Sequence, residues 1–377
     1  MMKQNSKRNI GTRKMPRINR IPRTNSMPRR TGALWAVCLL LVLSLCLVEF
    51  PALSVQAAKS KLSGYDSINA FSEGLALVSK KEKYGFIDTK GNVVVKPKYD
   101  MAYDFSEGLA LVKQGTKSGF IDKKGKVVIK LKYESAYVFH GGMATARKNG
   151  TEYLIDKTGK EIFKVNSGSW VVTYSNGMAI LCNKDNKYSI VNNKGKVVAK
   201  NLNYDVVDSF YDGMAMVCKD NKWGFINEKG KVIIKPKYEY VRPFREGLAM
   251  VTKGNEKYGF IDKTGKEVIK PKYTTFGSSP DGFADGVVVI MKDGRWVIVD
   301  KKGKEIKLKE DYFFLYDFSD GLAVVETGSG SIVINKKGKE VVKKKYDSIS
   351  SYSDGILVAK KGEKYYFLDK TGKVVVK

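Results

Sequence analysis

A glycine set in Glu-Gly-Leu-Ala or a close variant returns at Gly74, Gly108, Gly142, Gly177, Gly213, Gly247, Gly286, Gly321 and Gly355. The steps between them are 34, 34, 35, 36, 34, 39, 35 and 34 residues. A period of this size confines a chain to stacked repeats. Each unit is one supersecondary element that cannot bury its own apolar face, and its neighbours must cover it. Nine copies fill Tyr65 to Lys377. The longest step holds an insertion, Thr-Thr-Phe-Gly-Ser-Ser-Pro-Asp-Gly-Phe, at 274–283.

Every copy has four short apolar segments, as in 238–244, 247–251, 258–262 and 266–273. They are rich in Val, Ile, Tyr and Phe and too short for helices, so they read as strands. The two middle segments are apolar at odd and even positions alike. A strand wetted on one face alternates, so these strands are expected to be covered on both faces.

The turns agree. The loop Asp-Lys-Lys-Gly-Lys (122–126) suits a type I turn followed by a left-handed residue, a common hairpin connection. Asp or Asn opens this loop in all nine copies, and Gly91, Gly125, Gly159, Gly195, Gly230, Gly265, Gly303, Gly338 and Gly372 fill its fourth place. The lysines between them are expected to be solvated and to discourage edge-to-edge pairing. Three residues before the repeat glycine stands an aromatic, from Phe71 and Phe105 to Phe318 and Tyr352. Nine residues before it Tyr is common, as at Tyr99, Tyr133, Tyr204, Tyr238 and Tyr346, and two residues after it Ala dominates. Aromatics repeated in every unit read as a core ladder rather than a row of ligand platforms.

The stretch 221–251, NKWGFINEKGKVIIKPKYEYVRPFREGLAMV, resembles the bacterial WG-repeat family, also called the KWG repeat. The resemblance covers Tyr65 to the end. The literal Trp-Gly stands at Trp223-Gly224, with Tyr84-Gly85 and Tyr258-Gly259 as near variants. Copies three, four and eight depart, with EYLID, YSIVN and SIVIN, and are expected to be degenerate units or caps of sub-blocks. The resemblance implies an extracytoplasmic or interaction role and carries over no catalytic residue.

Four strands per unit give an all-β tandem repeat of antiparallel units, as an open superhelical array or a propeller-like toroid. Copy one begins with its first segment and copy nine ends with its fourth, so no strand is exchanged between the ends. That favours an open array. Cys182 and Cys218 occupy the same slot in adjacent copies. Direct stacking of like strands would bring them within disulfide reach, and the other reading is two buried free thiols.

Chemistry is sparse. The one histidine, His140, gives a triad or histidine metal site little to work with, and its spacing to Cys182 and Cys218 matches no zinc pattern. The acids before the repeat glycine (Glu73, Glu107, Asp212, Glu246, Asp285, Asp320, Asp354) read as turn formers. No phosphate loop, dinucleotide fingerprint or calcium loop is present. No catalytic residue, cofactor or metal ligand is therefore expected, and no ligand-binding residue stands out. The only uncopied polar stretch is the 274–283 insertion, whose single ionisable side chain is Asp281.

Lys+Arg number 68 against Asp+Glu 39, a formal charge of +29. Residues 1–31 hold ten basic residues and no acid, followed by the apolar run Ala33 to Val48, Pro51 and a small-residue exit at Val55–Ala57. That order is a secretory signal over 1–57, with a short linker at 58–64 and the repeat domain at 65–377. Met27 would start a signal of more ordinary length. The alternative is a retained membrane anchor at 33–48, a run shorter than the roughly 20 residues of a span. Without residues 1–57 the formal charge is still +20. The expectation is a secreted or cell-envelope binding or scaffold protein, not an enzyme. It would meet a protein or an anionic wall polymer. The alternative is a wall-glycan hydrolase with carboxylates among the repeats. Nucleic acid is not expected, because export argues against it.

Overall fold

The computed structural model describes residues 61–254, 256–274, 282–308 and 312–377. The 1–57 segment and Asp281 lie outside them. The described residues form one compact unit. Among the described residues there is no α-helix, and nine small antiparallel sheets follow one another along the chain.

Blade 1 shows the pattern. Its strands β1 (Ser67–Ser72), β2 (Leu75–Lys80), β3 (Lys83–Asp88) and β4 (Val93–Tyr99) pair in sequence order as an antiparallel meander. Blades 2 to 9 occupy 101–133, 135–164, 169–202, 206–238, 240–273, 287–307, 314–346 and 348–376. All are four-stranded except blade 7, a three-stranded sheet that follows the insertion. Copies three, four and eight are complete blades, which corrects the expectation of degenerate units. Their middle strands still carry apolar residues on both parities, and that alone is what stacking requires.

The core lies between blades. Along β2, Leu75 and Leu77 pack with Ala102, Phe105 and Ile121 of blade 2. The alternate residues Ala76 and Val78 pack with Ile356, Val358 and Phe367 of blade 9. Both-parity apolarity therefore serves two seams at once. At each regular seam the Phe of the third strand meets the aromatic of the next blade edge to face. Phe86–Phe105, Phe120–Phe139 and Phe225–Phe244 have ring centroids 4.8, 4.8 and 4.7 Å apart. Such a pair adds about 0.5–1.5 kcal/mol beyond the area it buries.

The same contact joins the last blade to the first. Phe367 meets Phe71 at 5.0 Å, Asp354 accepts a 2.9 Å bond from the Gly74 amide, and Leu62, 2% exposed, is buried at that seam. The array is a closed nine-bladed propeller, which corrects the preference for an open one. No strand is exchanged between the ends. Closure needs none, because the ninth seam repeats the packing of the others.

Candidate functional site

The hairpins are built as the sequence indicates. In each Asx-x-x-Gly loop the side-chain oxygen of the first residue accepts two backbone amides, as Asp122 does from Lys124 and Lys126 at 2.9 Å. Asn227 and Asp369 do the same in blades 5 and 9. Gly125 sits at φ 79°, where a side chain is strained. The intervening lysines, one or two per loop, stand between the third and fourth strands of every blade.

At the same end of each blade lies the turn between its first and second strands. Here the acids do more than turn the chain. Glu73, Glu107 and Glu246 take left-handed φ of 56°, 55° and 50°. That conformation costs a residue with a Cβ about 1–2 kcal/mol. Each carboxylate reaches the next blade, where it accepts an amide. Glu73 takes Gly108 at 2.9 Å, Glu107 takes Gly142 at 2.8 Å, and Glu246 takes Gly286 at 3.0 Å. Asp212 takes Gly247 at 2.7 Å, Asp285 takes Gly321 at 2.5 Å, and Asp354 closes the circle on Gly74. Charge-assisted bonds of this kind outweigh the strain.

Hydroxyls add to the belt. Ser72 and Ser175 each donate to the carbonyl of the next blade's aromatic, Phe105 and Phe210, at 2.7 Å. Equivalent positions of neighbouring blades meet directly on the first strands, where the Thr173 and Ser209 hydroxyls lie 2.5 Å apart, as they can only near the axis of a ring. The turn belt therefore surrounds the axis, and the fourth strands form the rim.

Two concentric charged rings result, carboxylates inside and lysines outside. Some lysines bend inward: Lys123 meets Glu73 at 3.1 Å and Lys301 meets Glu246 at 2.9 Å. Lys157 and Lys336 donate to the carbonyls of Glu107 and Asp285. Burial pushes the Glu246 carboxyl up, but the bonds from Lys301 and the Gly286 amide outweigh it and hold it below the usual range. These acids are consumed in holding blades together.

The remaining sequence candidates are dispersed. His140 is exposed, its ring 6.2 Å from that of Tyr174. Cys182 and Cys218 are buried free thiols, and burial raises both. Among the described residues no three His, Cys, Asp or Glu side chains gather where a metal ion could sit. The aromatic ladder is core: Phe105, Phe139, Phe210 and Phe244 are at most 2% exposed.

The first strand near the axis departs most from the repeat. Exposed residues on it or directly after it include Tyr103, Tyr137, Trp170, Val172 and Tyr316. Asp104, two residues past the first strand of blade 2, has its carboxyl raised by burial, opposed in part by a bond from Asn69. It lines a cleft of about 430 Å3 across blades 9, 1 and 2, beside Lys360 and Tyr365. It is the single carboxylate among that cleft's lining residues. Sequence reasoning passed over these positions. Their signal is negative: they are where the copies disagree.

No curated protein matches the chain. Among solved structures, a eukaryotic initiation factor is 11% identical with TM-score 0.53, over 78% of this chain and 92% of that one. BamB from Moraxella catarrhalis is 11% identical with TM-score 0.37, over 79% of this chain and 94% of that one. The dihydro-heme d1 dehydrogenase NirN is 12% identical with TM-score 0.39, over 72% and 69%. Likeness at the first structure's level is one of fold. The model of the WG containing repeat matches residues 64–84, 84–117, 119–151, 188–223, 223–256, 258–296 and 333–365. These stretches make up more than half of the chain and include the Gly-Phe-Ile core and hairpins of the regular blades. The chain belongs to the WG-repeat family.

Proposed function

We propose that this propeller is a non-catalytic, exported binding or scaffold protein of the cell envelope, and that its lysine-ringed end holds an anionic wall polymer or an acidic protein surface. The observation that carries the reading is the outer ring. Every one of nine hairpins at one end of a closed toroid presents lysine, and the formal charge without residues 1–57 is still +20. A polyanion can engage several such points together, and a field of one sign draws it in. The export part of the reading rests on the basic, apolar, small-residue order of residues 1–57.

The test is retention of the purified protein on envelope material and on immobilised polyglutamate at low and high salt. Retention should fall steeply as salt rises. The triple variant Lys124→Glu, Lys302→Glu, Lys337→Glu should weaken it about tenfold at low salt while leaving the melting temperature in place, as expected of surface charges. Retention indifferent to salt, or unchanged in the triple variant, would sink the proposal.

A further inference from the structure

One seam departs from the others. At the regular seams a Tyr nine residues before the repeat glycine fills the space beside the blade connection. Tyr99, Tyr133, Tyr238 and Tyr346 are at most 2% exposed there. Between blades 3 and 4 the residue in that place, bonded through its amide to the Glu152 carbonyl, is the smaller Val165, and the fourth strand of blade 3 stops after four residues, Glu161–Lys164, where β4 has seven. With no Tyr in the place, the seam holds a cleft of about 610 Å3, within the roughly 300–1,000 Å3 typical of small-molecule sites. Arg147, Glu152, Lys164, Asn166, Ser169 and Trp170 line it.

Trp170 decides the ligand class. It is 46% exposed, although an indole of this size is ordinarily among the better-buried side chains. Beside it stand a guanidinium, an ammonium, a carboxamide, a hydroxyl and a carboxylate. A phosphate ligand would call for donors only, and Glu152 would oppose it. An apolar peptide would call for apolar walls. A ligand with many hydroxyls uses donors and acceptors together, and the C–H face of a pyranose covers an indole. The neighbouring seam, between blades 2 and 3, adds a cleft of about 310 Å3 with Tyr103 and Tyr137, which are 46% and 64% exposed. Aromatic side chains thus stand exposed on or directly after the first strands of three consecutive blades.

We infer that the seam between blades 3 and 4 binds a short stretch of polysaccharide, with the Trp170 indole as the platform for one sugar ring. This deepens the envelope-binding reading and rests on it only for the setting in which such a glycan is met. The site is independent of the lysine ring. The acid–amide pairs that bind neighbouring hairpins to the blade connections, such as Asp100 with Gly115, lie at this other end of the blades.

The test uses the full chain and chitotetraose, an uncharged N-acetylated oligosaccharide, at high salt, by titration calorimetry and tryptophan fluorescence. Saturable binding is expected, weakened at least about tenfold by Trp170→Ala and also by Asn166→Leu. Both residues are exposed, so circular dichroism and melting temperature should stay as in the parent. No saturable binding by the parent, or parent-like binding by folded Trp170→Ala and Asn166→Leu, overturns the inference. If chitotetraose fails while envelope retention stays salt-sensitive, the cleft falls and the lysine reading stands. Saturable chitotetraose binding with salt-indifferent retention reverses that outcome.

Discussion

Glu305 shows how much one side chain can tie together across a seam. It accepts bonds from Lys272 at 2.8 Å and from the Tyr273 hydroxyl at 3.0 Å, both of blade 6, and from Lys292 of its own blade at 2.8 Å. Lys272 and Lys292 hold its carboxyl at about 2, against 4.5 for a free glutamate. Burial, then the Glu305 charge, push the Tyr273 hydroxyl up. The folded protein therefore holds fewer protons at Glu305 than the unfolded chain does between these two values. The stabilisation is complete above the unfolded value and fades as pH falls from 4.5 towards about 2. Discounted for the solvent that reaches the site, it is on the order of 1–2 kcal/mol. Glu305→Gln should lose about that much near neutrality and nearly nothing near pH 2, read by urea unfolding across the range. A gap that does not narrow in acid would mean the pair adds nothing through charge. At this scale legibility follows distance along the chain. The Asx caps were readable because their amides lie two and four residues on. The second role of Glu73 was not, because its amide at Gly108 lies 35 residues on.

The four strands of a unit were legible because period-2 patterns and turn residues are local. What a strand does to its neighbour was less so. The glycine of Trp-Gly illustrates this. A Cβ on Gly224 would stand 2.4 Å from the Ile234 carbonyl oxygen and 2.6 Å from the Pro236 nitrogen, and Gly85, Gly119 and Gly259 meet the same obstruction. In each of these blades the fourth strand bulges over the glycine, with its register broken on either side of the Phe pair, as on both sides of Phe225–Ile234. In blades 3 and 7, where Tyr153 and Val297 replace the glycine, the fourth strand is cut to Glu161–Lys164 and Glu305–Lys307. Blade 8 keeps a seven-residue fourth strand opposite Ile332, which nothing in the structure explains. Gly224→Ala should therefore force the two backbones apart and cost about 1–3 kcal/mol, seen as a lower denaturation midpoint. A neutral result would show that the bulge gives way freely. The bulged strand is also the blade's exposed edge, and Pro97, Pro236 and Pro271 with flanking lysines keep it from pairing further. The open seam between blades 3 and 4 was hidden for the opposite reason: a reader of repeats attends to what recurs.

Closure of the ring belongs to no single residue. It is the sum of nine small rotations, and contacts such as Phe71 with Phe367 span nearly the whole repeat domain. That is why the order of strands was readable and the choice between open array and toroid was not. The lack of strand exchange pointed the wrong way because it treats the ends as a weakness. Here the seam between blades 9 and 1 has the aromatic pair, the carboxylate on an amide and the apolar cluster of any other seam, with Leu62 added. This equivalence can be measured. Phe71 and Phe105 are 3% and 2% exposed, and their partners lie at 5.0 and 4.8 Å. If the ring is closed, Phe71→Ala and Phe105→Ala should each cost about 3–5 kcal/mol, and each should shift one cooperative transition seen alike by far-ultraviolet dichroism and by fluorescence. In an open array Phe71 would face solvent. Its replacement would then cost little, and the terminal blade would melt before the rest, as units of a linear array do. A cheap Phe71→Ala beside an expensive Phe105→Ala would break the toroid, and with it the two concentric rings on which the proposed polyanion surface depends.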